Sequence, residues 1–362
     1  MNKKLIALAV AGVTLAPAVM AQTANPVTLY GRIYATYNTV NANGSGVPGG
    51  VATQPIGRRG VVKDESSLIG IRGTEDLGGG LKAFFQLESA TPLDVGGGTF
   101  GSRNSGVGLQ GAFGSILLGR WDTPFKTTAL LNDPAGQLTL GDPLAIISTS
   151  ATGGASPFNR RQDNSFQYWT PNINGFTGRF LYSPNEGKTA TANPTTLGLN
   201  AQYAGGPVNV AYAYEVHKDQ GGVTGNTTTA GSKEKGHELT VGVKFGPFKV
   251  AAMAQRFDRS GKTNQKVAMV NGQYDIGKHS IWALYAKSKD GLANGAVQPV
   301  GKMATVGYYY NFSKRTTFVA SYASIVNNYV SSFSFNGTGT ATIVSGPGND
   351  PKGFGVGLRH LF

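Results

Sequence analysis

The sequence predicts an all-β fold, a 16-stranded antiparallel transmembrane β-barrel. Apolar and polar residues alternate with a period of two along many segments, and short turns alternate with long polar loops. After the first 21 residues, no apolar segment approaches the length of a membrane-spanning helix. The chain has 53 glycines, 18 Phe, 15 Tyr and 3 Trp, and is 40% hydrophobic. This composition is typical of a barrel, in which only alternate strand residues face lipid.

The N-terminal segment has the features of a secretory signal peptide. Lys3 and Lys4 precede an apolar run at 5–16, and small residues then mark a cleavage site between Ala21 and Gln22. The run is too short for a membrane anchor, which takes roughly 20 apolar residues. We therefore predict a signal peptide at 1–21 and one barrel domain at 22–362, with no further domain boundary.

The charge of the exported chain is strongly basic. The formal net charge is +13, and removal of Lys3 and Lys4 leaves +11. A basic surplus indicates nucleic acid, an anionic membrane surface or acidic solutes as partners. Export argues against nucleic acid, and the sequence has no aromatic–basic nucleic-acid module. The scattered charge therefore indicates a charged lining. Because the chain has no cysteine, a closed hydrogen-bonded barrel takes the stabilising role that disulfides have in many exported proteins.

Period-two alternation is clear in four segments, 27–36, 81–88, 238–245 and 354–362. In the first of these, alternation places Arg32 on the polar face, which faces the lumen of a barrel. In the last, one face carries five residues that end at the C-terminal aromatic: Phe354, Val356, Leu358, His360 and Phe362.

The connections predict the number of strands. Seven short turns rich in Gly, Pro, Asn or Asp separate eight long polar segments, and fifteen connections join sixteen strands. Membrane barrels place tight turns at one end and long loops at the other, whereas a soluble β-sandwich has no reason to do so. Sixteen strands also enclose an aqueous channel. The turns lie near 76–80, 111–114, 172–175, 204–207, 245–248, 275–278 and 311–315, and the loops at 38–66, 89–102, 121–160, 183–196, 215–237, 256–267, 287–302 and 324–353.

Several short motifs in a fixed order resemble the trimeric general porins of Gram-negative outer membranes, especially the β-proteobacterial branch of the Burkholderia and Bordetella type. The resemblance extends over nearly the whole chain. It implies an outer-membrane homotrimer, a third outer loop that folds into the barrel and narrows it, and a C-terminal strand that is read by the barrel-assembly machinery. The motifs are VTLYG at 27–31, GTEDLGGGLKA at 73–83, VGL at 107–109, LGR at 118–120, SKRT at 313–316 and VGLRHLF at 356–362.

The segment 121–160 is the candidate constriction loop. Loops of this length inside a compact fold are usually functional, although a solvated surface loop remains the alternative. Its acids Asp122, Asp133 and Asp142 are expected to oppose a basic wall, because fixed charges on a pore wall filter ions by sign. The candidate wall residues are Arg32, Arg103, Arg120, Arg160 and Arg161.

Two features qualify this wall. Alternation gives Arg103 the parity of Val107 and Leu109, so an inward-facing Arg103 requires a β-bulge. Members of the resembled family often carry arginine or another polar residue where this chain has Leu68, which implies that one wall charge is absent here. The alternative for any single arginine is a solvated charge of the barrel with no specific role in the pore.

The sequence contains no recognisable catalytic constellation. The histidines at 217, 237, 279 and 360 have no metal-ligand spacing, and we interpret His217 and His237, which lie in one predicted outer loop, as solvated side chains. The glycine-rich stretches lack the lysine and helix of a phosphate-binding loop. The sequence thus predicts no enzyme, no metal and no cofactor.

The leading functional hypothesis is passive diffusion of small ions and hydrophilic solutes, with a preference for anions. The expected partners are outer-membrane lipid and lipopolysaccharide, the barrel-assembly machinery and further copies of the chain. A substrate-specific channel for an organic acid or sugar is the first alternative. A lipid-hydrolase barrel and an adhesin that binds through the loop 215–237 are alternatives from other classes.

Overall fold

The computed structural model describes residues 26–44, 54–136, 139–147, 158–184, 186–221, 227–259, 264–290, 297–335 and 346–362. The predicted signal peptide at 1–21 lies outside these residues. The described chain forms one antiparallel sheet that closes on itself. No described helix is long and apolar enough to cross a membrane.

The sheet contains seventeen strand segments, and two short helices lie between β6 and β7. The helices are α1 (Pro124–Leu130) and a 3-10 turn (Pro143–Ala145). The strands are β1 (Thr28–Asn43), β2 (Ile56–Asp64), β3 (Leu68–Gly78), β4 (Leu81–Ala90), β5 (Ser105–Gly111), β6 (Gly114–Asp122), β7 (Arg161–Trp169), β8 (Phe176–Ser183), β9 (Thr195–Gly205), β10 (Val208–Gly221), β11 (Thr227–Phe245), β12 (Phe248–Asp258), β13 (Gln265–Ile276), β14 (His279–Lys289), β15 (Val300–Asn311), β16 (Thr316–Asn327) and β17 (Asp350–Leu361).

The segments β2 and β3 are two halves of one barrel strand, because both pair with β1. A bend at 65–67 separates them, and Ser66 there has a positive φ of 67°. The Asp64 carboxylate accepts the Ser67 N–H at 3.0 Å, and Glu65 N–H donates to the Tyr34 carbonyl at 2.9 Å. Counted in this way the barrel has sixteen strands, as the alternation of turns and loops predicts.

The barrel closes where its first and last strands pair. The β1–β17 register runs from Arg32 opposite Leu361 to Asn43 opposite Asp350. Next to the Arg32–Leu361 pair, Gly31 and Phe362 exchange two backbone hydrogen bonds, with N···O distances of 3.0 and 3.1 Å. The closed sheet therefore has no free strand edge, the condition under which a sheet can cross hydrocarbon.

The predicted bounds of two loops are wrong. β10 continues to Gly221 and β11 starts at Thr227, so most of the predicted loop 215–237 is strand. Likewise, the predicted loop 38–66 contains the end of β1, which continues to Asn43, and the whole of β2 at Ile56–Asp64. In these parts of β10 and β11, polar side chains occupy both faces. At the end of β1, the apolar side chains Val40 and Ala42 lie on the inner face instead of the outer one. The apolar alternation of the outer face therefore ends before backbone pairing does.

The outer face of the barrel is apolar and the inner face mostly polar. Leu29, Ile33, Val270, Ile281 and Leu358 are exposed on the outside. Side chains of the opposite parity are buried within the barrel and are often polar, for example Thr36, Asn38, Thr240 and Thr305. This is the inside-out pattern expected of strands that face lipid on one side.

The barrel seam generates a stability prediction. A Cβ at Gly31 would lie 2.3 Å from the Phe362 ring and 2.8 Å from the Leu68 carbonyl oxygen. Since that oxygen belongs to the backbone, we expect Gly31→Val to lower the free energy of unfolding by about 1–3 kcal/mol. Urea unfolding of the detergent-solubilised barrel, followed by heat-dependent gel mobility, measures the change. Gly57→Val is the matched control, because nothing lies within 4 Å of its Cβ position; equal losses for the two variants would contradict the prediction.

Candidate functional site

The connection between β6 and β7 lies against the inner wall of the barrel. It begins with α1, whose N-cap is Thr123: its Oγ1 accepts the Lys126 N–H at 3.2 Å, and Pro124 occupies the first turn, where its missing N–H costs nothing. The helix contacts β8, β9, β10 and β11. The loop therefore starts its course within the barrel.

Aromatic packing holds α1 to this wall. Phe125 lies 5.6 Å from Phe158 and 5.8 Å from Phe257, measured between ring centroids. Phe158 also stacks on the His217 ring at 4.5 Å. These side chains are fully buried, and His217 is bonded to Glu215 at 2.7 Å. The interpretation of His217 as a solvated residue is therefore wrong, because the loop covers it.

Polar side chains anchor the next part of the loop. Asn132 Nδ2 donates to Asn209 Oδ1 at 2.8 Å and to Thr240 Oγ1 at 3.0 Å. The Asn271 amide donates to the Asn132 carbonyl at 2.8 Å, and the Tyr309 hydroxyl donates to the Pro134 carbonyl at 3.1 Å. These contacts reach β10, β11, β13 and β15, so the loop crosses much of the inner circumference.

An apolar cluster completes the docking. Leu140, Ile146 and Ile147 of the loop are buried together with inward-facing side chains of the strands and with two phenylalanines from the connection between β16 and β17. Packed protein consequently occupies much of this side of the interior. The partners in the cluster include Val40, Met253, Met269, Met303, Ile325, Phe333 and Phe335.

The other half of the inner wall is basic. Arg32 Nη2 donates to the Ser66 carbonyl at 2.6 Å. Arg103 ion-pairs with Glu88 at 2.5 Å and donates to Ser66 Oγ at 2.9 Å. Arg103 lies before the first residue of β5, so the alternation of strand side chains does not apply to it. It therefore reaches the lumen without the β-bulge expected from the sequence. Leu68 pairs with Arg32 across the sheet and is buried.

Four further cations join this wall, and the sequence reasoning missed them. Three arginines lie over aromatic rings: Arg72 over Tyr30 at 4.9 Å, Arg179 over Trp169 at 5.0 Å and Arg359 over Tyr309 at 5.7 Å. Alternation could have identified Arg359, because its parity is opposite to that of the outward-facing Leu358. The fourth cation is Lys126 on α1. We call Arg32, Arg72, Arg103, Lys126, Arg161, Arg179 and Arg359 the basic wall.

Asp122 lies on the basic side of the pore rather than opposite it. Its carboxylate ion-pairs with Lys126 at 2.9 Å and with Arg161 at 3.3 Å, and it accepts a hydrogen bond from Asn104 Nδ2 at 2.8 Å. Burial lowers the pKa of Lys126, and the Asp122 carboxylate opposes this shift. Asp122 thus ties the start of the loop to the basic wall.

The other two acids of the loop organise its backbone. Asp133 Oδ1 accepts the Ala135 N–H at 2.9 Å. Asp142 is buried and caps the 3-10 turn, where it accepts the Leu144 N–H at 2.8 Å. These contacts give both residues a structural role in the shape of the loop.

Two of the five arginines singled out from the sequence lie apart from the wall contacts. Arg120 sits at a register shift between β6 and β7, where it ion-pairs with Asp163 and donates to the Ser102 carbonyl at 3.0 Å. Arg160 donates to Thr196 at 3.1 Å and to Gln220 at 3.0 Å. Burial lowers the pKa of Arg160, against the opposing effect of nearby carboxylates, chiefly Glu215.

The C-terminal strand places its apolar face outward. Phe354, Leu358 and Phe362 are exposed on the outside of the barrel, and Val356 and His360 share their parity. No group of three or more His, Cys, Asp or Glu side chains within the described ranges is arranged to hold a metal ion.

The sequence matches the family described as "Gram-negative porin" over residues 7–329. This chain belongs to that family. It is 31% identical to Outer membrane porin protein 32 of Delftia acidovorans over 380 residues, which cover 100% of both chains. It is also 31% identical to Major outer membrane protein P.IB of Neisseria gonorrhoeae over 349 residues, covering 89% of this chain and 92% of the relative.

Among solved structures, the barrel resembles an anion-selective porin from Comamonas acidovorans, with a TM-score of 0.74 and 28% identity over 93% of this chain and 100% of that one. OmpT of Vibrio cholerae has the same fold, with a TM-score of 0.68, but only 16% identity. The chain is therefore an outer-membrane porin of a Gram-negative bacterium, through which small hydrophilic solutes cross by passive diffusion.

The docked loop predicts how the pore responds to a lost anchor. We expect Phe125→Ala to open a cavity between Phe158 and Phe257, to weaken loop docking by about 3–5 kcal/mol and to raise the single-channel conductance. Planar-bilayer recordings of refolded protein measure the change. Phe100→Ala removes a phenylalanine that is 75% exposed and is the matched control. A Phe125→Ala barrel with unchanged conductance and current noise would show that this packing does not set the pore width.

Proposed function

We propose that this porin favours anions, and the observation that carries the proposal is the basic wall. Its seven cations come from β1, β3, β7, β8, β17, α1 and the connection between β4 and β5. The carboxylates that ion-pair with them are Glu88 and Asp122, so positive charge remains in excess. A wall of fixed positive charge raises the local concentration of anions and repels cations.

The docked loop supports this proposal because it determines where solutes pass. The loop and the apolar cluster fill the side of the lumen that faces β10–β16. Solutes therefore travel beside the basic wall. The relative from Comamonas acidovorans, which is described as anion-selective, adds independent support.

The proposal also includes four properties that membership of the porin family implies for this chain. We infer export by a signal peptide at 1–21, assembly as a homotrimer, contact with outer-membrane lipid and lipopolysaccharide, and recognition of the C-terminal strand by the barrel-assembly machinery. The outward apolar face of Phe354, Leu358 and Phe362 supports the last of these. We also propose that the barrel is a channel without enzymatic activity.

Ion selectivity tests the proposal directly. The reversal potential of purified protein across a salt gradient in a planar bilayer is expected to show a higher permeability for chloride than for potassium. Arg103→Gln should lower this permeability ratio by roughly twofold or more, because it removes a wall charge and leaves Glu88 without its partner. Arg120→Gln is the matched control, since it removes the same charge from an ion pair, with Asp163, that lies apart from the basic wall. A cation-selective wild-type channel, or equal effects of the two substitutions, would refute the assignment.

A further inference from the structure

A recess lies in the inner wall between the basic wall and the short-turn end of the barrel. Its volume is about 420 Å³, within the range of small-molecule sites. Gln110 and Ser115 flank the turn between β5 and β6. Trp121 lies near the other end of β6, next to Asp122. The recess therefore adjoins the narrow part of the pore. The residues around it are Pro26, Thr28, Arg72, Gly73, Thr74, Phe84, Phe85, Gln86, Gln110, Ser115, Trp121 and Trp169.

Three aromatic rings line one side of the recess. Trp121 and Trp169 lie 5.6 Å apart at an interplanar angle of 54°, and Phe84 stacks on Trp169 at 6.4 Å and 29°. A Cβ at Gly108 would come within 2.6 Å of the Phe84 ring, so the missing side chain of Gly108 leaves room for that ring against the wall. The three rings remain partly exposed.

Cationic and amide groups surround these rings. Arg72 lines the recess and is exposed to the lumen, and Arg179 lies over Trp169 at 5.0 Å from the ring centre. The amide of Gln110 and the hydroxyl of Ser115 add hydrogen-bonding groups. None of the residues described around the recess is acidic, and the nearby Asp122 is already bound to Lys126 and Arg161. The site therefore combines aromatic stacking with a positive field.

We propose that this recess is a binding subsite for planar aromatic carboxylates of one ring, the class represented by benzoate. Contact with the partly exposed Trp121, Trp169 and Phe84 rings holds the ring of the solute at the side of the recess, and Arg72 receives the carboxylate as the solute passes. A sugar also stacks on tryptophan. A neutral sugar, however, has no carboxylate to pair with Arg72 or Arg179, so it gains little from their charge. The inference deepens the proposed anion preference and rests on it, because it names the anions that the channel retains longest.

Tryptophan fluorescence gives a direct test, because the chain has 3 Trp. Two of them line the recess, while Trp282 is buried against Tyr309 elsewhere in the barrel. Purified full-length barrel in detergent is titrated with benzoate under excitation at the red edge of tryptophan absorption. We expect a saturable change with a Kd on the order of millimolar. Cyclohexanecarboxylate, which has the charge without the aromatic ring, and glucose should bind at least about tenfold more weakly, since each lacks one of the two interactions.

Substitutions identify the site. Trp169→Leu and Arg72→Gln should each weaken benzoate binding by roughly tenfold, while Trp282→Phe, the matched control, should leave the Kd unchanged. In bilayers, benzoate should reduce or transiently block the chloride current through the wild type and Trp282→Phe, but not through Trp169→Leu. Equal affinity for benzoate and cyclohexanecarboxylate, preferential binding of glucose, or no effect of Trp169→Leu would overturn the subsite. The chloride reversal potential, measured on the same protein, separates this failure from failure of the anion preference.

Discussion

The structure depends on one constraint: backbone N–H and C=O groups in hydrocarbon must find partners within the sheet. Pairing of β1 with β17 meets this requirement, and the bonds between Gly31 and Phe362 extend the seam to the last residue. Once the sheet is closed, the alternation of side chains separates an apolar exterior from an interior that can hold polar and charged groups. The channel is a consequence of this closure.

The interior is divided by the third long connection. Phe125 near its start and Phe158 near its end both pack with Phe257 of β12, and Leu140 and Ile147 from its middle are buried in an apolar cluster. Burial of this apolar surface is the favourable term that offsets the lost entropy of ordering so long a loop. The same packing leaves the opposite wall uncovered, so the path of the loop determines which residues line the pore.

The basic wall is held in place by its neighbours and not by its own charges, which repel one another. Arg72, Arg179 and Arg359 lie over aromatic rings, while Arg103 and Arg161 are ion-paired with Glu88 and Asp122. These contacts orient the guanidinium groups without neutralising all of them. Lys126 belongs to the docked loop and meets Asp122 at the wall, so loop docking and wall charge are coupled.

The sequence by itself determined the sixteen strands, the class of barrel and the inward direction of Arg32, because side-chain parity and turn chemistry are local properties. It did not determine the ends of β10 and β11, where polar residues on both faces remove the periodic signal, or the end of β1, where the apolar residues change to the inner face. Only the tertiary structure decided that Asp122 pairs with Arg161 and that Arg120 and Arg160 bind partners away from the wall. It also decided that His217 is buried under Phe158. Each of these outcomes depends on contacts between residues distant in the chain, which the path of the loop brings together and which no local pattern encodes.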